Sequence, residues 1–105
     1  MAGGWEFPGG KLTMGEQPLD GLTRELKEEL GVETHTAEWL CECTHEYPDR
    51  RVHLELWLVT EYEGVACSNE GQVLQWVNIK LLNDIDMLPA DKPLIAALQK
   101  RLDIF

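Results

Sequence analysis

The sequence predicts an α/β fold in which helices pack on a mixed β-sheet. Three features carry that expectation: an apolar run that stops at Pro8-Gly9-Gly10, an amphipathic stretch between Pro18 and Gly31, and two alternating apolar runs around Pro48-Asp49-Arg50. The order strand, helix, several strands, helix is that of a sheet covered by helices. A chain of 105 residues has material for one core, so residues 1–105 are expected to form a single domain.

Each element has its own signal. Trp5 to Phe7 reads as a short strand ending in a tight loop at Pro8-Gly9-Gly10. Pro18 suits the first turn of a helix, where its missing N–H costs nothing, and Gly31 suits the C-cap, so the first helix is expected over Pro18 to Leu30. Trp39 to Glu46 and Val52 to Glu61 read as an antiparallel pair, with Val52, Leu54, Leu56 and Leu58 on one face. A polar loop with Gly64, Ser68, Asn69 and Gly71 leads to a further expected strand, Val73 to Ile79. After a loop containing Pro89, a final helix carries Leu94, Ile95, Leu98 and Leu102 as its apolar stripe.

Composition removes several functions. The net charge is −10, from 19 acidic and 9 basic residues, and Val52 to Ile79 holds no Lys or Arg, which argues against a nucleic-acid polymer as partner. The apolar runs are far shorter than the roughly 20 residues that span a bilayer, so no membrane partner is expected. Cys41, Cys43 and Cys67 are odd in number and form no CxxC pair, consistent with a reduced, cytoplasmic setting. Cys41, Cys43 and His45 share one strand face, but Trp39 and Tyr47 continue the same alternation, which makes them half-buried strand positions rather than zinc ligands.

The first helix carries the chemistry. At 100° per residue Leu19, Leu22, Leu26 and Leu30 fall in one arc, and Glu25, Glu28 and Glu29 lie together on its flank. Like charges three and four apart cost about 0.2–0.5 kcal/mol per pair, so this grouping needs an offset. Arg24 and Lys27 offer a partial one, as on any solvated helix face. The alternative is a carboxylate nest for Mg²⁺, a cation that takes oxygen ligands and commonly bridges carboxylates to phosphates. An acidic protein can bind a small polyanion if divalent cations stand between them.

The spacing favours the second reading. Gly10, five residues, Glu16, seven residues, and then Arg24-Glu25-Leu26-Lys27-Glu28-Glu29-Leu30-Gly31-Val32 matches the Nudix box. Trp5 to Lys11, the Tyr47-Pro48-Asp49-Arg50 turn, Asn69-Glu70-Gly71-Gln72, Trp76 and Pro89-Ala90-Asp91-Lys92-Pro93 extend the likeness to the MutT branch of that family. The resemblance implies a Nudix-type α/β/α sandwich with a mixed sheet, and a hydrolase acting on phosphoanhydride bonds of a nucleoside triphosphate. For this branch the implied reaction is 8-oxo-dGTP to 8-oxo-dGMP and pyrophosphate, which sanitises the nucleotide pool; a pyrimidine or other triphosphate is the alternative.

Carried over residue by residue, the resemblance implies a site. Glu25, Glu28 and Glu29, the carbonyl of Gly9 and the carboxylate of Glu70 would hold Mg²⁺, with Mn²⁺ as a possible substitute. Arg24 would orient the box carboxylates, Glu16 would assist near the metals or brace loop to helix, and Lys11 would meet a phosphate. Glu70 or a box glutamate would take the proton of the attacking water. Glu6, Phe7 and Pro8 would line the nucleoside pocket, and Tyr47 and Val52 would contact base or sugar.

Two departures from the branch stand out. Asp91 occupies a position where some relatives carry Asn; an amide donates to O6 and accepts from N1–H of an oxidised guanine, whereas an ionised Asp only accepts unless a raised pKa keeps its proton. Met1-Ala2-Gly3-Gly4 runs directly into Trp5, where relatives have an additional N-terminal hairpin. The apparent loss of that hairpin implies an exposed sheet edge, compatible with a truncated reading frame, a paired or swapped homo-oligomer, or a nucleotide-binding remnant without turnover. An acidic interaction protein is the reading furthest from the motif, since it leaves the spacing from Gly10 to Val32 unexplained.

Overall fold

The computed structural model describes residues 5–102; the lead-in Met1-Ala2-Gly3-Gly4 lies outside the described residues. In chain order the elements are α1 (Pro18–Leu30), β1 (Glu33–Tyr47), β2 (Arg50–Glu63), a 3₁₀ helix (Ile79–Asp84) and α2 (Lys92–Arg101). They distribute between two compact units, one of residues 8–38 and 58–75, the other of described residues 5–7, 39–57 and 76–102.

The first of these units is built on α1, which has the expected bounds. Pro18 occupies its first turn, Gly21 N donates to Gln17 O at 2.9 Å, and Gly31 ends the helix in the left-handed region (φ 71°) with its N–H on Lys27 O. A side chain at Gly31 would have to bear that positive φ, so glycine is the natural stop. Leu26 and Val32 are buried and Leu22 and Leu30 half-buried, whereas Leu19 is 39% exposed. The apolar arc is thus covered in its middle and last turns. Beyond β2 the chain returns to this helix: Cys67 N donates to Leu30 O and Asn69 N to Glu29 O, both at 3.0 Å, satisfying carbonyls that a helix end leaves open.

The other unit has its core at Leu82, Met87 and Ile95, with Trp5, Phe7, Val77, Ile79, Ile85 and Leu98 packed against them. Leu94 and Ala90 are buried as well. The buried amide of Gln99 is satisfied by donating to Ile79 O at 3.1 Å, which ties α2 to the start of the 3₁₀ helix. Along β1 in this unit Cys41, Cys43, His45 and Tyr47 are half-buried and Glu42, Thr44 and Glu46 exposed, the alternation expected.

The hairpin is longer than expected from the apolar runs alone. Cross-strand partners Thr44 with His53 and Glu46 with Arg51 match a two-residue Pro48-Asp49 turn, and Thr36 with Glu61 keeps the same register. The added residues, such as Thr34, Thr36 and Glu63, carry no apolar alternation. They pair through backbone groups, to which an apolar pattern is blind.

Three expectations are corrected. Trp5 to Phe7 is not a strand: Trp5 makes one isolated parallel bridge with Met87, through Trp5 N to Asp86 O and Leu88 N to Trp5 O, both at 2.8 Å. Val73 to Ile79 is not a strand either. Among the described residues no strand pairs with it, Val73 and Trp76 are both 78% exposed, and at its end Asn78 caps the 3₁₀ helix by accepting from Lys80 N. A β-prone sequence without a neighbour to receive its backbone bonds stays extended and unpaired. Finally, Leu102 is the C-cap of α2 and 37% exposed, not part of the covered stripe. The sheet of the described residues is therefore the antiparallel β1–β2 pair, and the parallel Trp5–Met87 bridge stands apart from it as an isolated bridge.

Candidate active site

The glutamate flank of α1 is organised by one cation. Arg24 forks onto Glu16, with Nε on Oε2 at 2.8 Å and Nη2 on Oε1 at 3.0 Å. Its Nη1 donates to Glu25 Oε1 at 2.8 Å and Glu28 Oε2 at 3.2 Å, and Nη2 also reaches Lys11 O at 3.1 Å. The repulsion among the helix carboxylates is thus offset within the flank. The Arg24 guanidinium holds the Glu16 carboxyl down at about 2, helped by the backbone N–H of Thr13, and the carboxylates in turn bind the Arg24 proton more tightly.

A glycine loop closes on the same helix. Gly9 N donates to Glu29 Oε2 at 3.0 Å. At Gly10 an added Cβ would stand 2.5 Å from both Cδ and Oε2 of Glu25, so only glycine leaves the carboxylate its place. Gly9, Gly10, Glu16, Arg24, Glu25, Glu28 and Glu29 are therefore brought together in one unit.

Glu70 lies in the loop after β2, and its side chain is exposed. Its backbone N donates to Gln72 Oε1 at 3.2 Å, and the loop that bears it is bonded to Glu29 O and Leu30 O. Among the described residues no three acidic, histidine or cysteine side chains converge as a ready metal cage. The carboxylates of Glu25, Glu28 and Glu29 are engaged with N–H donors instead. By donor chemistry the set still suits a hard divalent cation, since every candidate atom is oxygen.

The remaining expected residues fall into two groups. In the unit with the Leu82 core, Asp91 is buried and its Oδ2 accepts from Phe7 N at 3.1 Å. Burial raises the Asp91 carboxyl above its usual range, Glu6 adds to that shift, and the Phe7 N–H opposes it. Glu6, Phe7 and Asp91 are thereby neighbours. Tyr47 stands edge-on to His45 (4.7 Å between ring centres) and carries the Arg50 guanidinium 5.1 Å above its ring, while Val52 is half-buried on β2. Pro8 and Lys11 are exposed and belong to the α1 unit, where Lys11 contributes its carbonyl to Arg24.

Two participants escaped the sequence reading. Thr13 binds Glu16 Oε1 through both its N–H (2.9 Å) and its hydroxyl (3.1 Å), and the Thr-x-x-Glu spacing of Thr13 and Glu16, that of a capping box, is the signal for it. Gln72 bonds both Glu29 O and Glu70 N, and no spacing rule announces such a bridge.

The carboxylate flank is hydrogen-bonded to the glycine loop, and similarity to known proteins assigns the chain to a family. Residues 1–97 match the NUDIX domain. The chain is 41% identical over 100 residues to an 8-oxo-dGTP diphosphatase of Escherichia coli K12, covering 95% of this chain and 78% of that protein. It is 38% identical over 97 residues to a CTP pyrophosphohydrolase of the same organism, covering 92% and 72%. The solution structure of the E. coli ORF135 protein superposes with a TM-score of 0.84 at 36% identity, over 95% of this chain and 71% of that one. The chain belongs to the Nudix family of hydrolases, enzymes that generally use divalent metal ions. No helix of the described residues is long and apolar enough to cross a membrane.

Proposed function

We propose that the protein is a Mg²⁺-dependent nucleoside triphosphate pyrophosphohydrolase that converts 8-oxo-dGTP to 8-oxo-dGMP and pyrophosphate. The observation that carries this reading is the Gly9 N–H on Glu29 Oε2 together with Glu25 seated on Gly10, which joins a phosphate-approaching loop to the helix carboxylates. Glu25, Glu28, Glu29, Glu70 and the Gly9 carbonyl would hold Mg²⁺, with Mn²⁺ able to substitute; when bound, the ion neutralises triphosphate charge and acidifies a water.

The chain's own residues do the rest. Arg24 keeps Glu25 and Glu28 oriented, and Glu16 keeps Arg24 in place through its two-point contact. Lys11 meets a phosphate oxygen as a point charge. Glu70 or a box glutamate removes the proton from the attacking water. Glu6, Phe7, Pro8, Tyr47, Val52 and Asp91 contact the nucleoside, with Asp91 offering the carboxylate edge not used by Phe7 N–H.

Asp91 also favours a second reading. Ionised, it accepts hydrogen bonds but donates none, which suits the exocyclic amine of cytosine as well as N1–H and N2 of a guanine. A CTP-type activity is the alternative on that ground, and a binding remnant without turnover stands behind both. Pyrophosphate release from 8-oxo-dGTP, dGTP and CTP, measured on folded protein with saturating Mg²⁺, decides among them. The highest kcat/KM is expected for 8-oxo-dGTP. A preference for CTP selects the second reading, and inactivity on all three overturns the enzymatic one.

A further inference from the structure

Gln72, half-buried in the loop after β2, uses both ends of its carboxamide. Nε2 donates to the carbonyl of Glu29 at 3.4 Å, while Oε1 accepts from the backbone N of Glu70 at 3.2 Å and from Ser68 Oγ at 3.1 Å. Ser68 Oγ also bonds the Gln72 carbonyl. One side chain thus runs from the backbone of a box glutamate to the backbone of the loop carboxylate.

The chemistry of the amide suits this task. A donor and an acceptor stand on one planar group, so a single side chain can serve a carbonyl on one side and an N–H on the other; a carboxylate lacks the donor and an alkyl chain lacks both. Cys67 N on Leu30 O and Asn69 N on Glu29 O attach the upstream part of the loop to α1. They leave Glu70 itself unattached. Gln72 supplies the contact at Glu70, and Glu29 O is where both attachments meet.

We propose that Gln72 is a positioning residue that fixes the Glu70 backbone against Glu29, and so sets the separation at which those two carboxylates work. The inference rests on the reading that Glu29 and Glu70 serve phosphate cleavage. Misplacement of a reacting group by about 1 Å costs on the order of 100-fold in rate, so a residue that only positions can matter as much as one that reacts.

Two readouts on the full chain test it. Without metal or nucleotide, Gln72→Ala is expected to speed amide hydrogen exchange at Glu70 by about tenfold or more, with the amides in the middle of α1 unchanged. Gln72→Glu, which keeps the acceptor for Glu70 N–H but lacks the donor to Glu29 O, is expected to leave that exchange elevated as well. Unchanged exchange at Glu70 in Gln72→Ala, or parent-level protection in Gln72→Glu, overturns the proposal. In turnover, Gln72→Ala is expected to lower kcat by on the order of 10- to 100-fold with KM little changed. In a Glu70→Gln background the same substitution is expected to cost nothing further, and losses that multiply in the double variant overturn it. If Glu70→Gln alone keeps full turnover, the catalytic assignment of Glu70 fails, while the exchange experiment still decides whether Gln72 holds that loop.

Discussion

The backbone N–H of Phe7 donates to Oδ2 of Asp91 at 3.1 Å, although 84 positions separate the two residues in the chain. This bond makes one edge of the Asp91 carboxylate part of the scaffold that joins the two segments. It also leaves a buried carboxyl whose charge is only partly compensated.

Asp91 should make stability depend on pH in a particular direction. Its carboxyl is raised above the ordinary value of 3.8, mainly by burial, so between that value and the raised one the folded state binds more protons than the unfolded state. The contribution of Asp91 is most favourable below pH 3.8, declines as pH rises through the window, and is constant above it. Asp91→Asn keeps an oxygen for Phe7 N–H and removes the charge. Its melting temperature, relative to the parent, is expected to rise with pH across that window; parallel curves would refute this.

Glu16 should act in the opposite sense. Its carboxyl is held at about 2 against an ordinary value of 4.5, chiefly by Arg24, so its stabilising contribution is complete above pH 4.5 and disappears as pH falls through about 2. Glu16→Gln is expected to melt lower than the parent at pH 7, with the gap closing toward pH 2. The same variant is expected to lose turnover, because Arg24 would be freed from the contact that aims it at Glu25 and Glu28.

Gly10→Ala separates activity from stability. The atoms that a Cβ would strike, Cδ and Oε2 of Glu25, are the far end of a flexible side chain, so the fold can yield by moving the carboxylate. A stability loss under about 1 kcal/mol is expected. Turnover is expected to drop on the order of 100-fold, since a proposed metal ligand has been displaced. Urea unfolding and initial rates on one preparation check both, and an active variant would refute the placement of Glu25.

Glu29→Gln tests the metal assignment with little structural change, since the amide oxygen can still accept from Gly9 N–H. Mn²⁺ binding followed by electron paramagnetic resonance is expected to weaken by at least tenfold, about 1.4 kcal/mol. Turnover is expected to collapse with it. A chelator is expected to abolish activity of the parent, and Mg²⁺ to restore it; full activity in Glu29→Gln would refute the assignment.

Much of this was legible from local patterns. Pro18 and Gly31 bound α1 because the physics of helix ends is local: a missing N–H at the start, a left-handed residue at the stop. The Pro48-Asp49 turn and the alternation of Cys41, Cys43, His45 and Tyr47 are local too. The glutamate flank and its spacing to Gly10 and Glu16 were readable for the same reason, and they located the family.

What only tertiary structure decided concerns partners. Val73 to Ile79 has the composition of a strand, yet a strand exists only where a neighbour receives its backbone bonds, and Trp5 finds just one such bridge. Phe7 with Asp91, Gly9 with Glu29 and Gln72 with Glu29 and Glu70 are pairings that no periodicity encodes, because each depends on how distant segments return to one another. By itself the sequence placed Glu25, Glu28 and Glu29 on one flank of a helix at a spacing that identifies the family. The fold decided which groups hold them in place, since hydrogen bonds are set by distance in space and motifs by distance along the chain.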